Sequence, residues 1–174
     1  MNAAEAQRPD PDRTVAFQGQ LGAYSHLACR QIFPDFAVLP CESFEDAFQA
    51  VRERRARHAV IPVDNTVAGR VADVHHLLPR GGLHIVGEHF LRVNHHLLAV
   101  HGASLASIRT VLSHTHALGQ CRNFIRRHGF RTRVVADTAG AAAEVAASGD
   151  PSQAAIASRL AAEIYGLQIL VGAL

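Results

Sequence analysis

The 174-residue sequence predicts an α/β protein in two lobes built on mainly parallel sheets. From Thr14 onward, short apolar runs alternate with stretches of helical spacing, the signature of βαβ units. The alternation breaks once, where two apolar runs (83–93 and 96–100) follow each other with no helical stretch between them, and then restarts. Composition agrees with a packed protein: 48% of residues are hydrophobic and 18% charged, which excludes a collagen, a coiled coil and a disordered chain. At 18.7 kDa the chain can bury about 70% of its unfolded surface.

Each element has a local reason. Val15-Ala16-Phe17 reads as a strand, Gly19 to Gly22 as a tight turn, and Tyr24, Leu27, Ala28 and Ile32 as one face of a helix. Residues 36–39 are a second strand. Ser43, with Asp46 three residues later, forms a capping box that opens a helix burying Phe44, Ala47, Phe48 and Val51. Ala59-Val60-Ile61 is a strand ended by Pro62, and a helix over 69–78 stops at Pro79, Gly81 and Gly82. Beyond the break come strand 110–112, helix 117–125 ending at Gly129, strand 132–135 and helix 138–147 stopped by Gly149 and Pro151. Strand 154–157, helix 160–165 stopped by Gly166 and strand 168–171 complete the series. The predicted organisation is a disordered tail over 1–13, a first lobe of 14–91 plus 168–174, and a second lobe of 92–167.

Several function classes drop out. All 17 basic residues are arginine, so no lysine Schiff base, pyridoxal phosphate attachment or Walker lysine exists. A net charge of +2, two tyrosines and no tryptophan argue against nucleic acid. The odd trio Cys29, Cys41 and Cys121 forms no disulfide framework and points to a reducing cytoplasm. No run of 18 apolar residues suggests a membrane span, and the charged opening residues resemble neither a secretory signal nor an anchor. His114, His116 and Cys121 lack the spacing of a metal site, and no metal or cofactor is expected.

Ligands of open parallel sheets bind beyond the carboxyl ends of strands, where helix N-termini gather. Those ends are residues 18–25, 62–69, 113–120 and 137–141, and their convergence on one cleft would suit a small polyanion. At the first three, two readings stand. The Gly19 to Ser25 turn either binds a carboxylate through Ser25 or is a plain glycine turn capped by that serine. Pro62-Val63-Asp64-Asn65-Thr66 either points Asn65 at a ligand or makes an Asx-turn into the next helix. Ser113 and His114 either donate to an anion, with Gln120 up to two turns on, or Ser113 simply caps the helix. Asp137 caps a helix at whose mouth the Thr138 hydroxyl is left free. The histidine pairs 75/76 and 95/96 read as surface or packing residues.

Five ordered runs carry a family resemblance. Val15-Ala16-Phe17-Gln18-Gly19 with Gly22-Ala23-Tyr24-Ser25, Ile61 through Val71, Ser113-His114 with Ala117 to Cys121, Asp137-Thr138-Ala139, and residues 154–170 together resemble prephenate dehydratase over residues 14–170. The resemblance implies a fold similar to type II periplasmic binding proteins, with an active site in the interlobe cleft. It implies decarboxylating dehydration of prephenate to phenylpyruvate in phenylalanine biosynthesis, without metal or organic cofactor. It also implies catalytic roles for Thr138, Ser113 and Asn65, and substrate binding by Ala23, Tyr24, Ser25, Asn65, Thr66, Ser113, His114, Gln120, Thr138 and Ala139. The expected partner is the small-molecule substrate, with neither nucleic acid nor membrane, in a cytoplasmic protein that could pair as a homodimer.

Two departures accompany it. Asp64-Asn65-Thr66 stands where the family usually has Glu-Asn-Ser, which shortens one carboxylate arm. The family's Thr-Arg-Phe motif, whose threonine is implied as the acid at the departing hydroxyl, and its phenylalanine-binding ACT domain are expected beyond Leu174. The rival readings are a non-aromatising prephenate decarboxylase and a module that binds a small dicarboxylate without reacting.

Overall fold

The computed structural model describes residues 9–67 and 69–174, in two compact units. Residues up to Gly19 join Ala28–His89 in one unit, and Gln20–Leu27 join Phe90–Leu174 in the other. Of the expected disordered tail, residues 1–8 lie outside the described residues. The rest is ordered: Pro11–Arg13 form a 3-10 turn capped by the Asp10 carboxylate.

The first unit centres on strand β1 (Thr14–Gln18), whose four leading residues are buried. It pairs in parallel with β2 (Ala37–Cys41) on one side and β3 (His58–Val60) on the other. Helix α1 (Tyr24–Ile32) connects β1 to β2, and α2 (Phe44–Arg52) connects β2 to β3. The capping box at Ser43 and Asp46 is present in both directions, and Ala47 and Ala50 pack with Ala16, Cys41 and Ala56 as the core of this unit. After β3 the chain departs from the expected helix. Asp64–Asn65 (β4) and Gly69–Arg70 (β5) form an antiparallel hairpin, and α3 is confined to Ala72–Leu77. Gly69, at φ +84, takes a backbone conformation that helices do not use. Residues 82–95 form no regular element, and Ile85, Val86 and Phe90 are exposed, so the apolar run over 83–93 is not a buried strand.

The second unit is a five-stranded sheet in the order β10, β6, β9, β7, β8. These are β6 (His96–Ala99), β7 (Thr110–Ser113), β8 (Arg131–Val134), β9 (Gln153–Ala157) and β10 (Gln168–Val171). β7 is parallel to β8 and β9, whereas β6 is antiparallel to both β9 and β10. The last strand thus pairs within the second unit, and residues 168–171 do not belong to the first lobe as the sequence suggested.

Strand alternation builds a layer on each face of this sheet. Leu97, Ala99, Val111, Ala154 and Ile156 pack with Ala117 and Leu118 of α4 (Thr115–Gln120), Ile125 of α5 (Arg122–His128) and Cys121 between the two helices. Leu98, Leu112, Ala155 and Ala157 face Ala141, Ala142, Val145, Ala161 and Ala162 of α6 (Thr138–Ser148) and α7 (Arg159–Tyr165). Alanine meeting alanine lets α6 sit close against the sheet. The single helix expected over 117–125 is two, broken at Cys121, where φ −93° and ψ 9° leave the helical basin.

Candidate active site

Because β7, β8 and β9 are parallel, their carboxyl ends share one edge of the second unit's sheet. The start of β6 joins them there, since His96 is paired with Ala157 at the end of β9. Three of the four predicted ligand turns belong to this unit. The Ser113 and Asp137 turns follow β7 and β8 directly. The glycine turn is brought to the same edge by Ser158, which follows β9 and donates its buried hydroxyl to the Gly22 carbonyl at 2.6 Å. The Tyr165 hydroxyl donates to the Leu21 carbonyl at 2.8 Å, and the Gly22 N–H donates to His26 Nδ1 at 2.9 Å. Gly22 is required twice over: its φ is +94°, and a Cβ there would meet the Ala161 Cα at 2.9 Å.

This scaffold sets Tyr24 and Ser25 in the first turn of α1, both half-buried. The Ala23 N–H closes the turn onto the Gln20 carbonyl at 3.0 Å, so it is committed internally rather than offered to a substrate. Thr138, half-buried, is the first residue of α6, with Ala139 buried behind it. Asp137 caps that helix, its Oδ1 accepting from the Gly140 N–H at 2.7 Å.

Ser113 departs from expectation. It is fully buried, and its hydroxyl donates to the Ile156 carbonyl in the neighbouring strand at 2.6 Å, so the hydroxyl locks β7 to β9 and reaches no solvent-facing anion. Nor does it cap α4. His114 does so, its Nδ1 accepting from the His116 N–H at 3.3 Å. The fourth turn lies in the first unit. There Asn65 Oδ1 accepts from the Val67 N–H at 2.9 Å, an Asx-turn inside the β4–β5 hairpin, and Thr66 is exposed at the hairpin tip.

One group that the sequence marks only as a surface or packing residue sits just before β6, at the same edge. His95 is buried, with Nε2 2.7 Å from Gln120 Oε1 and Nδ1 2.8 Å from the Tyr24 hydroxyl, which also reaches the Asn94 carbonyl at 2.9 Å. Burial lowers His95 below the ordinary imidazole range against the opposing pull of Gln120, and burial raises the Tyr24 phenol. Both are therefore neutral near pH 7. His114 is lowered by burial and by His116, against Asp137. Cys121, beside this cluster, is pushed up to about 11 by burial and is an unreactive thiol. A signal for His95 existed in the sequence, a histidine at the threshold of an otherwise apolar strand, but nothing there named its partners. Among the described residues, no group of three or more His, Cys, Asp or Glu is arranged to hold a metal, and no helix is long and apolar enough to cross a membrane.

A family model described as prephenate dehydratase matches residues 15–174. The chain belongs to the prephenate dehydratase family. A bifunctional N-acyl-homoserine lactone acylase/prephenate dehydratase of Komagataeibacter europaeus is 48% identical over 159 residues, 91% of this chain and 57% of that protein. Arogenate dehydratase/prephenate dehydratase 2 of Arabidopsis thaliana is 45% identical over 156 residues, 90% of this chain and 41% of the relative. Among solved structures, prephenate dehydratase of Arthrobacter aurescens in complex with L-Phe superposes with a TM-score of 0.85 at 28% identity, covering 92% of this chain and 55% of that one. The chain thus spans about half the length of the family members it matches. The α/β architecture with mainly parallel sheets expected from the sequence is the architecture of these neighbours.

Proposed function

We propose that this chain carries the catalytic region of a prephenate dehydratase, converting prephenate to phenylpyruvate, carbon dioxide and water in phenylalanine biosynthesis. The observation that carries the reading is the family match over residues 15–174, which spans the Ser25, Gln120 and Thr138 turns at one edge of the second unit's sheet.

The chemistry suits neutral donors. Prephenate bears two carboxylates and a ring hydroxyl. The ring carboxylate leaves as carbon dioxide, its bonding electrons move through the diene, and the hydroxyl departs as water after gaining one proton. Aromatisation drives the step. The protein's share is to orient the dianion and stabilise charge growing on the leaving oxygen. Ser25 Oγ, Thr138 Oγ1 and the Gln120 amide are the proposed donors in the second unit, with the Ala139 N–H in the first turn of α6. Asn65 and Thr66 are assigned to substrate binding on the resemblance, and Ser113 acts by holding β7 in place. The same reading carries a cytoplasmic setting and a homodimer, which fractionation and light scattering measure directly.

The test is incubation of the protein with prephenate, followed by phenylpyruvate enol absorbance and carbon dioxide release. Both products in equal amounts support the proposal. Carbon dioxide with a retained cyclohexadienol converts it to a non-aromatising decarboxylase, and tight binding with unchanged prephenate converts it to a binding module. Because the Arabidopsis relative is named for arogenate as well, a parallel arm offers arogenate and looks for phenylalanine. The 48% identity to the Komagataeibacter protein favours a second reading, an acylase activity, tested by release of homoserine lactone from an N-acyl derivative.

A further inference from the structure

A glutamine amide can serve a carboxylate with only one of its two ends. Its NH2 group donates, while its carbonyl oxygen repels an anion. A side chain free to flip would offer both. Gln120 ends α4 on the surface, and its amide is held by a neighbour: Oε1 lies 2.7 Å from His95 Nε2.

Two acceptors cannot share that distance, so Nε2 carries the imidazole proton and donates it to Gln120 Oε1. Nδ1 is then the acceptor, and the Tyr24 hydroxyl at 2.8 Å is its donor, with the Asn94 carbonyl a second acceptor for the same proton at 2.9 Å. The ring is further fixed edge-on to the Tyr24 ring, centroids 5.5 Å apart and planes at 78°. Burial of His95 on the core side leaves it one exposed partner to orient. The hydrogen-bond chain therefore runs from Tyr24 through His95 to Gln120, and the Gln120 NH2 is turned away from it.

We propose that His95 is a positioning residue, which fixes the Gln120 carboxamide with its NH2 end presented to an anionic group of the substrate. The inference rests on the reading of this edge as a dicarboxylate site. His95 does not touch the reacting atoms. It acts by removing the flipped amide conformer, a form of preorganisation.

Two measurements test it. In the first, His95→Leu is compared with His95→Gln, whose amide NH2 can replace Nε2–H as donor to Gln120. His95→Leu is expected to raise KM for prephenate about tenfold while kcat changes less than threefold, and His95→Gln to recover most of the loss. Adding Gln120→Leu to His95→Leu is expected to cost clearly less than Gln120→Leu costs the parent, since His95→Leu has already loosened the donor that Gln120→Leu removes. Equal defects in His95→Leu and His95→Gln, or full additivity with Gln120→Leu, would overturn the proposal. In the second, nitrogen NMR of the histidine-labelled wild-type protein, assigned by the signal lost in His95→Gln, is expected to show the Nε2–H tautomer. The Nδ1–H tautomer would mean that Gln120 faces the other way and would equally overturn it. This second readout needs no turnover, so a wild-type protein that ignores prephenate would defeat the functional reading while the tautomer still decides the positioning.

Discussion

The Ser158 hydroxyl donates to the Gly22 carbonyl at 2.6 Å across 136 residues of chain, and the same oxygen accepts the Ala161 N–H at 3.0 Å as the N-cap of α7. One buried side chain thus starts a helix and tethers the turn that carries Tyr24 and Ser25. Ser158→Ala leaves a carbonyl and an amide without partners, and the expected cost is about 2 kcal/mol in chemical denaturation. With the tether gone, KM for prephenate rises more than kcat falls. A variant as stable as the parent would show that water replaces the hydroxyl.

Gly22→Ala tests the same junction from the other side. The added methyl meets backbone, not a flexible side-chain end, and φ +94° is strained for any L-residue. The expected loss is about 2 kcal/mol or more. Gly129→Ala, also at positive φ but with nothing within 4 Å of its Cβ, serves as control and should lose about 1 kcal/mol. Equal losses at both positions would remove the argument from close packing.

What the sequence could reveal follows from where each signal resides. The Ser43 capping box, the glycine stops at 129, 149 and 166 and the strand 168–171 are local, and the structure keeps them. The pairing of that last strand with β6 is set by contacts some seventy residues away and left no local mark. The hairpin at 64–70 has no distinct signal, because polar residues after a strand fit a ligand turn or an Asx-turn into a helix as well as a hairpin. Ser113 reads as an anion donor or a helix cap because it follows a strand and precedes a helix. That its hydroxyl would be spent on Ile156 depends on β9 lying beside β7. The role of His95 is not legible for the same reason: both of its partners are remote in sequence.

The serine and threonine at the edge should now separate. Ser113→Ala is expected to cost about 1 to 2 kcal/mol of stability through the Ile156 carbonyl it abandons, with kcat/KM for prephenate within about threefold of the parent at 20 °C. Thr138→Val keeps shape and leaves stability nearly unchanged, but removes a hydroxyl proposed to touch substrate, and kcat/KM falls by about a hundredfold. The reverse pattern would return Ser113 to the reacting centre.

All three cysteines are buried and free, and burial holds Cys29 up to about 12 and Cys121 up to about 11, with Cys41 raised as well. Almost no thiolate is available at pH 8. The native protein should therefore leave a thiol-specific chromogenic disulfide unreacted over minutes, while denatured protein titrates three thiols at once. A single fast-reacting thiol in the native state would contradict the packing around it.

Four histidines, His58, His95, His96 and His114, are each lowered first by burial, and His96 further by Arg159 and His95. Folded, they stay neutral where the unfolded chain already takes up protons. At pH above the ordinary imidazole value of 6.5 neither state binds a proton there and stability is complete. As pH falls through that value, the unfolded state gains protons that the native state does not, so stability drops, and the drop levels off once pH passes below the lowered native values. Denaturant midpoints measured from pH 7.5 down to 5.5 should decline steadily, and His95→Gln should flatten part of the decline. A midpoint that stays constant or rises over this range would mean these imidazoles are solvated and charged, which would also dissolve the neutral Tyr24–His95–Gln120 chain on which the substrate-facing amide depends.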